Sequence, residues 1–222
     1  MDNLEGKILA IWKPKGPTSH DVVDMLRQKT GLKRIGHAGT LDPLAEGILV
    51  VGFGRQATRE LGKIIVKDKE YQANIVLGIV SETFDAEGPL KEQKITAIPS
   101  LAEIEKIIKE KFIGLIEQVP PAHSALKIGG RRAYKIKRSG EEPKMKTRKV
   151  YIEKIKIIDY SFPSLTLHIS CGTGTYIRSL AHDLGQELGI GGYLAGLTRL
   201  RVGEFLQNQA LTIEQVVKEY KI

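Results

Sequence analysis

The stretch GHAGTLDPLAEGILV, residues 36–50, sets the terms for everything around it. Two glycine-punctuated turns frame one aspartate, Asp42, which stands directly before Pro43 and ahead of an apolar run whose only charge is Glu46. The residue before a proline is pushed out of the right-handed helical region, so Asp42 lies in an extended or turn conformation and is no helix-interior salt-bridge residue. Two readings stay open. Asp42 caps a helix beginning at Pro43, a common pairing, or it does chemistry. Gly47 would end any such helix within about one turn, which leaves a strong cap with little to cap.

Working outward, ILVVGFG after the aspartate reads as a strand, as do KILAIW, YQANIVLG and VYIEKIKIID. The cleanest strand is SLTLHISC, with Leu165, Leu167, Ile169 and Cys171 on one face and Thr166, His168 and Ser170 on the other. Cys171 is therefore a core residue, not a nucleophile. GTGTYIRSLAHDLGQELG then switches to helical spacing, with Ile177, Leu180, Ala181, Leu184 and Leu188 as the buried stripe. Arg178 falls off that stripe in the first turn, where the helix dipole gives a cation no advantage, so it has an anion to meet. Capping pairs start two more helices, Ser100 with Glu103 and Thr212 with Gln215, and another runs from about Ser19 to Gly31. Short helices among many strands argue an α+β fold: a mixed, largely antiparallel central sheet with flanking helices. SGEEPKMKTRK, residues 139–149, is the best candidate for a mobile tip.

The chain has 222 residues, 41% hydrophobic and 27% charged, and one compact domain with insertions is the expectation. The start MDNLEGKILAIW is neither a leader nor an anchor by composition, which points to the cytoplasm and to no membrane partner. A single cysteine excludes an intrachain disulfide, and five scattered histidines show no metal-ligand spacing, so no metal is expected. The net charge of +8 is concentrated. From Lys127 to Lys156 twelve basic residues face three acidic ones, a local excess of nine that leaves the rest nearly neutral. Concentration of this kind fits phosphate-backbone contact, and a solvated basic loop is the plainer alternative. Tyr134, Gly129 and Gly130 interleave with the charge and favour an ordered, shaped segment.

GHAGTLDPLAEG also resembles the signature of the TruB family of pseudouridine synthases, in which an H-x-G-x-L-D motif carries the catalytic aspartate. KPKGPTS (13–19), YQANIVLGIVSETFDAEG (71–88), QVPPAHSALKIGGRRAY (118–134), GTGTYIRSLAHDLG (172–185) and LTRLRVGEF (197–205) resemble further blocks in the family's order, with Ser81 where threonine is usual. The resemblance implies the pseudouridine synthase fold, a single catalytic domain over 1–222 and a thumb-like RNA-binding insertion at about 124–150. It departs from most bacterial relatives in the expected lack of a C-terminal PUA-type module. The reaction implied is isomerisation of uridine 55 in the T loop of tRNA to pseudouridine, with no net redox change, no group donor and no cofactor.

Residue roles follow from the same resemblance. Asp42 is the nucleophile, as a carboxylate serves in retaining glycosidases, and Arg178 matches the arginine that pairs with it. Tyr71 matches the stacking tyrosine and is the candidate base, although a strand tyrosine facing core or solvent is the bland reading. Leu197 matches the apolar wall of the base pocket. His37 matches the histidine against which the nucleotide stack lies when the base flips out; without the motif it would be a surface histidine. Lys13 is placed beside the substrate, where with Pro14 it shapes a turn. Arg131, Arg132 and Lys135 are candidate RNA contacts on the insertion. The expected partner is the tRNA T arm, met by a monomer. A guide-RNA-directed dyskerin-like enzyme and a non-catalytic basic RNA-binding or chaperone protein are the alternatives.

The charge distribution generates a first prediction. Replacing Arg131, Arg132 and Lys135 together by alanine flattens the log–log salt dependence of tRNA affinity by roughly two to three units, since each phosphate contact contributes about 0.7–0.9. A dissociation-constant series across salt measures it. An unaltered slope makes the segment a solvated loop.

Overall fold

The computed structural model describes residues 4–124 and 126–221. The expected domain span 1–222 and insertion 124–150 include Met1, Asp2, Asn3, Ala125 and Ile222, which lie outside the described residues. Along the chain come β1 (Ile8–Lys13), α1 (Ser19–Thr30), β2 (Ile35–Ala38), β3 (Ala45–Phe53), α2 (Gly54–Ile65), β4 (Lys69–Leu77), β5 (Ile79–Ser81), β6 (Leu90–Glu92) and α3 (Leu101–Lys111). After these follow β7 (Gly114–Gln118), β8 (Lys127–Ile128), β9 (Arg131–Arg132), α4 (Ala133–Arg138), β10 (Arg148–Ser161), β11 (Ser164–Cys171), α5 (Ile177–Glu187), β12 (Gly192–Val202), β13 (Phe205–Leu206) and α6 (Ile213–Glu219). Two compact units emerge: the described residues up to Gln72 with those from Leu197 onward, and Ala73–Gly196.

In the first unit β3 is the organising strand. Its residues are buried almost throughout, as a strand covered on both faces requires. Leu49, Val51 and Phe53 point to one side, with Val22, Val23 and Leu26 of α1 and Val216 of α6. Ile48 and Val50 point to the other, with Leu61 and Ile64 of α2. This is the two-residue alternation of a strand read out as two half-cores. β1 pairs antiparallel with β3 from Ile8↔Gly52 to Lys13↔Gly47, and β2 pairs antiparallel from Ile35↔Phe53 to Ala38↔Val50. β12 pairs parallel with the beginning of β3, from Leu197↔Ala45 to Arg199↔Gly47.

In the second unit the strand order is β4-β11-β10-β7, with β10 antiparallel to both β11 and β7. Leu165, Leu167, Ile169 and Cys171 are buried as their alternation requires. The expected capping boxes at Ser100–Glu103 and Thr212–Gln215 are formed, and α1 closes at Gly31 with φ 69°. The fold class is the α+β class read from the sequence, mixed and largely antiparallel. The basic segment is ordered as β8, a Gly129–Gly130 turn with both φ positive, β9 and α4. Residues 141–147 have no regular secondary structure.

Gly47 shows how tightly the parallel pairing is drawn. Its φ is 107°, and a Cβ there would stand 2.3 Å from the Arg199 carbonyl oxygen. Gly47→Ala adds a backbone clash to a left-handed strain, so a loss of about 2–5 kcal/mol and a thermal midpoint lower by roughly 10 °C are expected. Gly31→Ala, also at positive φ but with nothing within 4 Å of the added Cβ, is the control and costs about 1 kcal/mol. Thermal unfolding of the two variants checks the difference.

Candidate active site

Asp42 caps no helix. Its carbonyl accepts from the Ala45 amide at 3.0 Å, closing a β-turn with Pro43 in the second position, which proline's fixed φ favours. β3 starts where that turn ends. The capping alternative thus falls away, and the half-buried carboxylate heads a turn between β2 and β3.

That turn is braced by its own unit on every side. Ser19, at the first turn of α1 and buried, donates from Oγ to the Leu41 carbonyl at 2.9 Å and accepts from the Leu41 amide at 2.8 Å. Lys13 has 0% exposure, and its Nζ donates to the carbonyls of Ala45 at 2.6 Å, Pro14 at 2.8 Å and Pro43 at 3.5 Å. The Gly16 amide donates to the Pro43 carbonyl at 2.8 Å. Arg199, 1% exposed, reaches from β12 with Nε to the Ile48 carbonyl at 2.7 Å and with Nη2 to the Gly39 carbonyl at 2.9 Å. The buried charges thereby carry hydrogen bonds on several donors, which burial demands.

The other expected residues of this unit sort as follows. Leu197 is buried on β12 and lies opposite Ala45, three residues past Asp42. Tyr71 lies on the buried side of β4, whose start is tied to β12 by Arg201 Nε donating to Glu70 Oε1 at 2.7 Å. His37 is in β2, and burial first, then the Arg199 guanidinium and the nearby His20, hold its pKa below the ordinary histidine value, which favours the neutral ring at pH 7. Its Nε2 is 3.4 Å from Thr40 Oγ1.

Arg178 belongs to the second unit. It is off the apolar stripe of α5, as its spacing indicates, yet only 5% exposed. Nη1 donates to Asp85 Oδ2 at 2.9 Å and to the Thr83 carbonyl at 3.3 Å, and Nη2 donates to the His123 carbonyl at 3.0 Å. Asp85 is the anion in this unit that the sequence reading missed. Its Oδ1 accepts from Thr83 Oγ1 and from the Glu87 amide. The signal was present in TFDAEG, where Thr83 and Asp85 make a turn that bonds to itself. α5 has no side-chain cap of its own, and Gln118 supplies the order: its amide bonds both the carbonyl and the N–H of Tyr176.

On the basic segment, Arg132 and Lys135 are exposed. Arg131 meets Glu141 through two nitrogens at 2.9 and 3.3 Å and Ser139 Oγ at 3.2 Å, and Lys137 pairs with Glu142. The Arg138 guanidinium carbon lies 5.6 Å from the centroid of Tyr134. No group of three or more His, Cys, Asp or Glu suited to hold a metal occurs among the described residues.

Comparison with known proteins places the chain. Residues 27–177 match the family model "TruB family pseudouridylate synthase (N terminal domain)", and residues 178–222 match "tRNA pseudouridylate synthase B C-terminal domain". A Thermobifida fusca (strain YX) protein named tRNA pseudouridine synthase B is 42% identical over 97% of this chain and 75% of its own length. The protein of that name from Protochlamydia amoebophila (strain UWE25) is 44% identical over 94% of this chain and 78% of its own. Among solved structures, a chain of a Cbf5-Nop10-Gar1 complex aligns with TM-score 0.77 and 28% identity over 98% of this chain. The present chain spans 55% of that one.

The bracing of the turn is open to test at Ser19. Ser19→Ala leaves the buried Leu41 amide and carbonyl without that partner, an expected loss of about 1–3 kcal/mol in chemical denaturation. A stability within about 0.5 kcal/mol of the parent would mean that the turn holds without it.

Proposed function

The chain belongs to the TruB family of pseudouridylate synthases, and from that premise we propose that it isomerises uridine 55, in the T loop of tRNA, to pseudouridine with Asp42 as the nucleophile. The observation that carries this is the carboxylate itself: it caps no helix, yet its turn is held by Ser19, Lys13, Gly16 and Arg199. Rigid placement of a half-exposed carboxylate suits attack on an electrophile and does little for the fold.

The reaction breaks the bond from N1 of uracil to the ribose C1′ and forms one from C5 to C1′. The proton leaves C5 and one is gained at N1, so atoms and charge balance with no cofactor. Asp42 stabilises or captures the electron-poor centre, as a carboxylate does in glycoside cleavage. The freed uracil has to be retained and turned away from water. Tyr71 stacks on it and is the proposed base, Leu197 is the apolar wall, and neutral His37 supports the nucleotides around the flipped base. Arg178 is the proposed second member of the catalytic machinery. Arg131, Arg132 and Lys135 grip phosphates, and Lys13 acts beside the substrate through the turn it holds.

The T arm as the element bound, a monomer acting without metal, and a cytoplasmic location complete the proposal. The standalone reading is favoured over an RNA-guided assembly by identity: 42% to a tRNA pseudouridine synthase B against 28% to the chain from the Cbf5 complex.

The direct experiment is the purified chain alone with an unmodified tRNA transcript and mapping of pseudouridine. Asp42→Asn keeps the shape and removes the charge, so turnover falls by roughly a thousand-fold or more while the tRNA dissociation constant stays within about threefold. Pseudouridine formation at the parent rate in Asp42→Asn ends the assignment. Arg178→Ala, read in the same assay, judges Arg178 separately.

A further inference from the structure

In the second unit the ring of Phe84 lies on the imidazole of His182, with centroids 3.9 Å apart and planes within 13°. Phe84 has φ 64°, a left-handed conformation that bulky side chains rarely adopt. Such strain persists only where neighbouring contacts over-determine it, and it gathers at functional sites. Here the Phe84 amide donates to the Ser81 carbonyl at 3.1 Å, and its carbonyl accepts from the Leu194 amide at 3.0 Å. The stack holds the side chain. Neither ring is fully buried, so the pair is not ordinary core.

The residue after Phe84 is Asp85, whose carboxylate meets Arg178. Arg178 and His182 are four residues apart on α5 and so share a face, one turn apart. The helix therefore grips the 81–87 loop twice, by charge at Arg178 and by ring stacking at His182. Nδ1 of His182 is buried with no hydrogen-bond partner among the described residues. Burial also lowers the pKa of His182, which leaves a neutral ring against the phenyl face.

We propose that the Phe84–His182 stack is a positioning device for the Arg178–Asp85 pair: it fixes the strained loop so that the Asp85 carboxylate meets the guanidinium in one orientation. The inference rests on the reading of Arg178 as part of the catalytic machinery. Neither ring touches RNA in this role, so the stack acts on the chemical step and not on binding.

Two readouts test it. In His182→Ala, single-turnover rate at saturating tRNA falls about tenfold, with the tRNA dissociation constant within about twofold. Amide exchange at Glu87 and Leu194, whose N–H groups bond Asp85 and Phe84, rises about tenfold, while Ile169 in β11 is unchanged. His182→Phe, which keeps an aromatic face, restores both. On an Asp85→Asn background, His182→Ala adds no further loss of rate, because the pair it serves is already broken. Unchanged exchange in His182→Ala, no rescue by phenylalanine, or a full extra tenfold loss on the Asp85→Asn background each overturn the proposal. Exchange answers for the stack itself, whereas the Arg178→Ala rate answers for the reading beneath it.

Discussion

The first unit hangs on the approach of the Arg199 main chain to Gly47. A strand that returns after about 150 residues of chain is drawn into parallel register with the start of β3, and only a residue without a Cβ leaves room for it. Once that register is set, Leu197 must lie opposite Ala45, and the Arg199 side chain must enter the unit beside the aspartate turn. Its two carbonyl partners, Gly39 and Ile48, bracket Asp42 along the chain. Lys13 and Ser19 hold the same turn from β1 and α1. A loop that would otherwise sample many conformations is thereby fixed by strands and a helix, which suits the role proposed for Asp42.

Buried cations recur for the same physical reason. Lys13, Arg178 and Arg199 are each nearly inaccessible, and each spends its donors on main-chain carbonyls or, for Arg178, on Asp85 as well. A buried charge without such partners would be heavily destabilising, whereas one bonded through several contacts stiffens the backbone it touches. Stiffness around the candidate residues thus comes from polar braces, while the apolar half-cores on either side of β3 supply the bulk of the burial. The second unit adds a strained aromatic residue next to its buried ion pair, a combination that packing for stability alone would not select.

The basic segment follows another rule. Most of its cations are exposed, and Arg131 and the half-buried Lys137 are engaged by Glu141 and Glu142 from the same segment. Exposed pairs of this kind contribute little to stability, so these cations are not committed to holding the fold. The Gly129–Gly130 turn and the short α4 give the charge a defined shape in place of a diffuse coil.

What was legible in the sequence was local. Alternation in SLTLHISC, capping pairs at Ser100 and Thr212, and the glycine stop at Gly31 each act within a few residues, so they could be read without a fold. The α+β class was legible too, and the family motifs nominated Asp42, Tyr71 and Arg178 as the candidates on which the proposal rests. Long-range partners were not legible: that β2 and β12 share one side of β3, that Ser19 clasps Leu41, and that Asp85 receives Arg178. The proline before which Asp42 sits restricted its backbone but left cap and turn equally open, and only the strand beginning at Ala45 decided for the turn. The sequence by itself determined the elements and the chemistry available, because propensity, capping and periodicity are properties of neighbours in the chain. Tertiary structure alone decided which carbonyls each buried cation would meet, because that depends on strand register and on where a Cβ would collide.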